Sequence, residues 1–156
     1  MISCTEFIPA YSELFKFLET KGGYDEVLRY WDYTADTYVE NFLGPLADEK
    51  GILGCWEYWA RALNEEAADF TMTLDPEKQE LVIDMHHCPS KGLLLELDYM
   101  QPYHAYCKHC DILYDRVLHK RGIAQENDQS HCDEAKCCGR RYVMPEYKDK
   151  WKKYLE

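Results

Sequence analysis

The chain changes its periodicity in one place, Phe70-Thr71-Met72-Thr73-Leu74, Asp75-Pro76-Glu77-Lys78 and Leu81-Val82-Ile83-Asp84-Met85. Apolar residues alternate with polar ones on both sides of a turn-forming segment, the pattern of two half-buried strands joined as a hairpin. Everything before it advances in steps of three and four. Tyr11, Leu14, Phe15 and Leu18 predict a helix from Pro9 to Glu19, closed by Lys21-Gly22-Gly23. Val27, Leu28, Trp31, Ala35, Tyr38 and Phe42 predict a second from Asp25 to Gly44-Pro45, where proline's missing donor favours a boundary. Ile52, Leu53, Trp56, Trp59, Ala60 and Leu63 predict a third from Leu46 to Ala67, with Gly51 and Gly54 weakening its first turns.

Beyond Met85 the alternation puts His87 on one face and His86 on the other, and the strand is expected to end at Cys88-Pro89. A connection containing Gly92 and Leu93-Leu94-Leu95 leads to a fourth helix, from Pro102 to Lys120, with Gly122 as its stop. Ala124 to Ser130 reads as a loop or edge strand, Gly139 to Val143 as a short strand, and Tyr147 to Leu155 as a terminal helix. The fold expected is α+β in a single domain: a helical half, 1–68, packed on a small antiparallel sheet with a Cys-bearing helix, 69–156.

The 156 residues suffice for one core without a covalent staple. With 18 Lys and Arg against 29 Asp and Glu, the net charge of −11 argues against nucleic-acid backbones, which need clustered cations, and against anionic membrane surfaces. No apolar run is long enough to span a bilayer. Met1-Ile2-Ser3-Cys4-Thr5-Glu6-Phe7 has neither the basic start nor the apolar stretch of a signal peptide, so a cytoplasmic location is expected.

In a reducing compartment eight cysteines point to metal ligation or thiol chemistry rather than disulfides. Cys4 and Cys55 stand apart and read as small core hydrophobes. Cys88, Cys107, Cys110, Cys132, Cys137 and Cys138 crowd into the second half with His86, His87, His104, His109, His119 and His131. On a helix, Cys107, Cys110, Asp111 and Tyr114 share a face. Cys107-Lys108-His109-Cys110 supplies two corners of a tetrahedral metal site, and Cys88 with one of Cys132, Cys137 or Cys138 supplies others. Zinc suits such ligands best, with iron or manganese as alternatives. A metal-free alternative makes Cys88 a nucleophile at a helix N-terminus, aided by His86 or His87 and an orienting Asp111 or Asp133. A thioredoxin-type redox role for Cys107 and Cys110 is a further alternative.

The segment from Phe70 to Val143 resembles the L-2-amino-thiazoline-4-carboxylic acid hydrolase-like family. The likeness rests on a strand pair ending in Cys88-Pro89, on Cys107-Lys108-His109-Cys110-Asp111, and on Cys138-Gly139-Arg140-Arg141-Tyr142. A weaker similarity is to vinyl-reductase-type ligand-binding domains of sensors. The departures are His87 where the family carries an arginine before Cys-Pro, and Arg140 where it carries an aromatic after the last cysteine.

The resemblance implies a hydrolase that opens a 2-aminothiazoline ring, with Cys88, Cys107, Cys110 and Cys138 holding a divalent metal. Attack at the amidine-like ring carbon needs a nucleophile made at neutral pH and a proton donor. His87 or His109 would move protons, with Cys88 and Asp111 beside them in the catalytic group. Arg140 or Arg141 would pair with the substrate carboxylate, and Tyr114 would line the pocket. The second reading is a metal-containing small-molecule binding or sensor module without turnover. The partner expected is a small molecule, with a homo-oligomer compatible with either reading.

Overall fold

The helical half is built around buried aromatic and aliphatic stripes. In the computed structural model, which describes the backbone of residues 4–155 and the side chains of residues 6–155, helix α1 spans Cys4–Gly22 and buries Phe15 against Trp31, ring to ring at 5.2 Å. The side chain of Cys4, expected in the core, lies outside the described residues. Helix α2, Tyr24–Thr34, runs through a π turn, Ala35–Val39, directly into α3, Glu40–Lys50. The boundary expected at Gly44-Pro45 is therefore absent. Pro45 forfeits one backbone hydrogen bond, but Val39, Leu43 and Ala47 of the same rod are buried, and that burial outweighs the loss. Across the π turn, Thr34, Thr37 and Asn41 donate side-chain hydrogen bonds to the carbonyls of Tyr30, Tyr33 and Thr37 at 2.9, 2.7 and 2.7 Å. They thereby occupy acceptors that the wider turn disturbs.

Helix α4, Ile52–Glu65, folds back on α3. It begins at Ile52 and not at Leu46, because Gly51 takes a left-handed φ of 59° and makes the corner. Gly54 permits the close approach: a Cβ there would lie 2.0 Å from the Leu46 carbonyl oxygen.

The sheet has four antiparallel strands: β1 (Asp69–Asp75), β2 (Glu80–His87), β3 (Ile123–Asp128) and β4 (Cys137–Val143), in the order β1-β2-β4-β3. The hairpin register pairs Leu74 with Leu81 and Phe70 with Met85. On β4 the alternation sends Cys137, Gly139, Arg141 and Val143 toward the helices and Cys138, Arg140 and Tyr142 outward. Helices α4 and α6 (Lys108–Leu118) cover the inner face.

Three further helical expectations change. Residues 89–96 form helix α5, Pro89–Glu96, where a connection was expected; Pro89 at its first turn and the Cys88 thiol, which accepts from the Lys91 N–H at 3.5 Å, start it. The fourth helix begins at Lys108 and not at Pro102, the preceding turns being held by Ser12 Oγ, which accepts from the Tyr103 N–H at 2.8 Å. The terminal helix shrinks to α7, Lys148–Trp151, flanked by tighter turns and anchored by buried Trp151 over Gly51. One buried cluster, from Phe15 through Leu81 to Trp151, joins residues of both halves in an α+β architecture. No helix of the described residues is long and apolar enough to cross a membrane.

Candidate functional site

Between the inner face of the sheet and the starts of α5 and α6 lies a cavity of about 190 Å³. Its floor is Ile83, Met85, Gly139 and Arg141; one wall is Trp59 and Leu63 of α4 with Glu66 just beyond its end. Five thiols, those of Cys88, Cys107, Cys110, Cys132 and Cys137, also line it. A cavity of roughly 150 Å³ holds benzene, so this one suits a molecule of about six to ten non-hydrogen atoms.

Arg141 dominates its electrostatics. The residue is 5% exposed, and its guanidinium lies over the Trp59 ring at 4.4 Å. Its Nε has no hydrogen-bond partner among the described residues. The groups that act most on its charge are Cys110, Tyr114, Cys55 and Cys137, none of them a carboxylate, and burial lowers its pKa. Gly139 makes the fit possible, since a Cβ there would lie 2.1 Å from Arg141 Nη1. A buried guanidinium without a carboxylate partner is costly to the fold.

His109 and Cys110 form a second polar element at the first turn of α6. The Nδ1 of His109 meets the Tyr106 carbonyl oxygen, which can only accept, so Nδ1 carries the proton and Nε2 is the bare nitrogen. That nitrogen lies 3.5 Å from Cys110 Sγ, close enough to accept from the thiol. Burial lowers the imidazole's pKa, so the ring is neutral at neutral pH. Burial also pushes the Cys110 thiol up to about 12, with Arg141 opposing the shift. Cys88 is pushed up to about 11 and Cys137 to about 12, burial again being the largest cause. Glu66 is exposed as a residue but its carboxyl reaches the cavity, where burial raises its pKa and His109 opposes the rise. Tyr114 packs edge-on against Trp59 at 5.1 Å and lines the cavity, as the helical spacing implies.

Several residues named from the sequence fall elsewhere. His87 lies outside the cavity: its ring covers Gly92, where a Cβ would meet Nε2 at 2.2 Å. Asp111 is occupied as a strut, accepting from Asn127 Nδ2 at 2.7 Å and Gln129 Nε2 at 3.1 Å, and so ties α6 to β3 and the segment beyond it. Arg140 points to the outer face, paired with Glu80 at 2.5 Å and lying over Tyr142. Cys138 faces outward too, across from Asp84 and Asp128, in a shallow hollow with His86 and His131. The quartet Cys88, Cys107, Cys110 and Cys138 is thus not brought together; Cys132 and Cys137 stand in the cavity with the first three. Among the described residues no group of three or more His, Cys, Asp or Glu side chains is arranged to hold a metal ion, and no step is assigned to one.

Glu66, Lys91, Gln129 and Lys136 are among the cavity residues that sequence reasoning passes over, and Cys132 and Cys137 are those it leaves unchosen. Counting by twos from buried Val143 selects Cys137 over Cys138 and Arg141 over Arg140, a signal carried by the strand period alone. Comparison with family models, curated proteins and solved structures finds no match to this chain.

Proposed function

We propose that the chain binds a small carboxylate-bearing molecule in this cavity and opens it by hydrolysis, the activity implied by its resemblance to 2-aminothiazoline-4-carboxylate hydrolases, with the cavity's own side chains in place of the metal that the resemblance implies. The observation that carries the reading is Arg141: a guanidinium 5% exposed, with its Nε unpaired and no carboxylate ion-paired to it among the described residues, lining a cavity sized for such a ring. A carboxylate pairs with it in a fork, leaving the ring toward His109 and the thiols. The attacking group is a water whose proton passes to His109 Nε2 as the new C–O bond forms, so no free hydroxide is made. A thiolate nucleophile would have to be formed first, and proton transfer from a Cys110 thiol pushed up to about 12 to an imidazole held below its ordinary value is uphill. Glu66, whose carboxyl burial favours in its protonated form relative to an ordinary glutamate, is the side chain we assign as donor to the departing group.

The raised thiols also favour a second reading, a binding module without turnover, because a cavity of protonated thiols is a poor nucleophile. One experiment separates the two. Calorimetric titration with 2-aminothiazoline-4-carboxylate is followed by mass spectrometry of the mixture, using the native chain, Arg141→Met and His109→Gln. Hydrolysis predicts binding by the native chain and by His109→Gln, weakened binding by Arg141→Met, and a product one water heavier from the native chain alone. Binding without product supports the module. Equal binding by native chain and Arg141→Met sinks both.

A further inference from the structure

The chain carries 29 acidic against 18 basic residues, and most of its Lys and Arg side chains are held by a carboxylate in an ion pair. Among the described residues the exceptions are Lys21, whose ammonium lies over the Phe17 ring, the lysines at 148, 150, 152 and 153 in the last turns, and Arg141 with Lys91. Of these, Arg141 and Lys91 line the cavity. Lys136 lines it too, but Glu134 holds its ammonium at 3.0 Å. Glu66, the carboxylate of the lining, is ion-paired with neither Arg141 nor Lys91. In a molecule with an excess of carboxylates, two cations without one thus face a single small space, where they reverse the sign of the local charge.

Lys91 does not duplicate Arg141. The Arg141 guanidinium lies over Trp59 of α4 and beside Gly139 in the middle of β4. Lys91 stands in the first turn of α5, where its N–H is given to Cys88 Sγ at 3.5 Å. That turn is tied to the chain before β4 begins, the Cys88 N–H donating to the Ala135 carbonyl oxygen at 2.7 Å. The two side chains therefore enter the cavity from different sides, one from the floor beside Trp59 and the other from the start of α5. Arg141 is 5% exposed and its buried Nε has no partner, whereas Lys91 is half-buried.

From this arrangement we infer that the cavity takes a small dicarboxylate, one carboxylate in the fork of Arg141 and the other on the Lys91 ammonium. The inference rests on the carboxylate site proposed at Arg141 and adds the second charge, so that the molecule opened by hydrolysis is itself a dicarboxylate. A phosphate at Lys91 is less well served, since one ammonium satisfies few of its oxygens and the backbone N–H of the same residue is already used. Succinate and glutarate fall within the size of the cavity.

The probes are succinate and glutarate, each beside its monoamide, which keeps the size and removes one charge. Binding to the native chain and to Arg141→Met, Lys91→Met, Lys91→Arg and Lys136→Met is measured by calorimetric titration at neutral pH, with circular dichroism to check that each variant is folded. The native chain is expected to bind at least one dicarboxylate about five- to tenfold more tightly than its monoamide, the scale of one half-exposed ion pair. Lys91→Met brings that ratio to one and leaves the Kd of the monoamide unchanged, while Lys91→Arg and Lys136→Met keep the ratio. Lys91→Gln reads the same ratio should the Met variant fail to fold. Arg141→Met weakens dicarboxylate and monoamide alike. A ratio of one in the native chain, a ratio that survives the loss of the Lys91 charge, or one that is lost in Lys136→Met overturns the inference; if Arg141→Met still weakens binding, the site at Arg141 stands without it. Equal binding by the native chain and Arg141→Met, or no binding of any probe to the native chain, overturns both.

Discussion

At the scale of single residues, Arg141 separates stability from function. Its neighbour Arg140 is a solvated, ion-paired side chain of the kind that contributes little. Arg141 is buried, its Nε unpaired, and desolvated by Trp59, Tyr114 and thiols. A residue kept for ligand binding under these conditions weakens the empty fold. Arg141→Met removes the charge while keeping a comparable stem, and relieving an uncompensated buried charge is expected to stabilise the empty fold on the scale of about 1–4 kcal/mol found when buried ionic groups are replaced by packed apolar ones. The expected outcome is a Tm raised by several degrees in calorimetry, together with loss of about 2 kcal/mol, roughly 30-fold in Kd, for a small carboxylate. A lowered Tm would make Arg141 a structural residue and remove the basis of the anion site. Which residues face this site is partly legible in the sequence. Tyr114, Cys107 and Cys110 follow from helical spacing, and Arg141 and Cys137 follow from the strand period once Val143 is taken as buried. Asp111 is not legible: a carboxylate beside a Cys-x-x-Cys pair looks catalytic, and only the fold brings Asn127 and Gln129, 16 and 18 residues away, onto it. Glu66 is hidden in the same way, because its placement depends on where α4 ends above the sheet.

At the scale of elements, the period of two around Asp75-Pro76 is enough to fix the hairpin, since both strands bury one face and a slip of one residue would expose Leu81, Ile83 and Met85 together. Helix boundaries are harder to read. Pro45 signals a stop in any local reading, yet buried Leu43 and Ala47 carry the helix through it; Leu93-Leu94-Leu95 gives no helical period over eight residues, yet Cys88 and Pro89 start a helix there. Gly51 and Gly54 look like weaknesses of one helix and are the means by which two helices meet. This makes Gly54→Ala a test of the α3–α4 hairpin. The new Cβ would sit 2.0 Å from a backbone oxygen, which cannot swing away as a side chain could, so the helices must separate. Overpacking of this kind costs about 3 kcal/mol or more, a fall in Tm of about 10 °C for a chain of this size. A change within a degree or two would show that α4 packs on α3 less closely than this contact requires.

At the scale of the whole molecule, stability is set from both ends of the pH range by groups that titrate differently folded and unfolded. Glu40 is held below its ordinary carboxylate value chiefly by its hydrogen bond with Arg121, which also reaches Asp48 at 2.8 Å and so joins the end of α6 to α3. Asp36 is lowered by its hydrogen bond with Arg116, and Glu19 by its hydrogen bond with His104. A depressed carboxylate contributes stability that is present above its unfolded value, near 4.5 for Glu40, and is lost as pH falls through the folded one. His109 has the same sign from a higher start: buried neutral, it begins to cost stability as pH falls below about 6.5. Glu66 runs the other way, its contribution complete below 4.5 and lost as pH rises, which blunts the acid limb without reversing it. At the alkaline end Cys55, Cys110 and Cys137 are each pushed up to about 12 and Cys88 to about 11 by burial, from an ordinary value of 9.0. A raised thiol contributes stability that is complete below the unfolded value and lost as pH climbs toward the folded one, because the unfolded chain then releases protons that the fold retains. Tm measured by circular dichroism at constant ionic strength, under reductant, is therefore expected to be highest between about pH 7 and 9, to decline gently toward pH 5, steeply below 4.5, and again above 9. Thiolate absorbance followed in parallel should rise with unfolding and not before it. A Tm unchanged from pH 8 to about 10.5, or thiolate formation in the folded chain near pH 9, would show that the cavity is open to water and that its thiols are not the buried, protonated groups on which the choice of water as nucleophile rests.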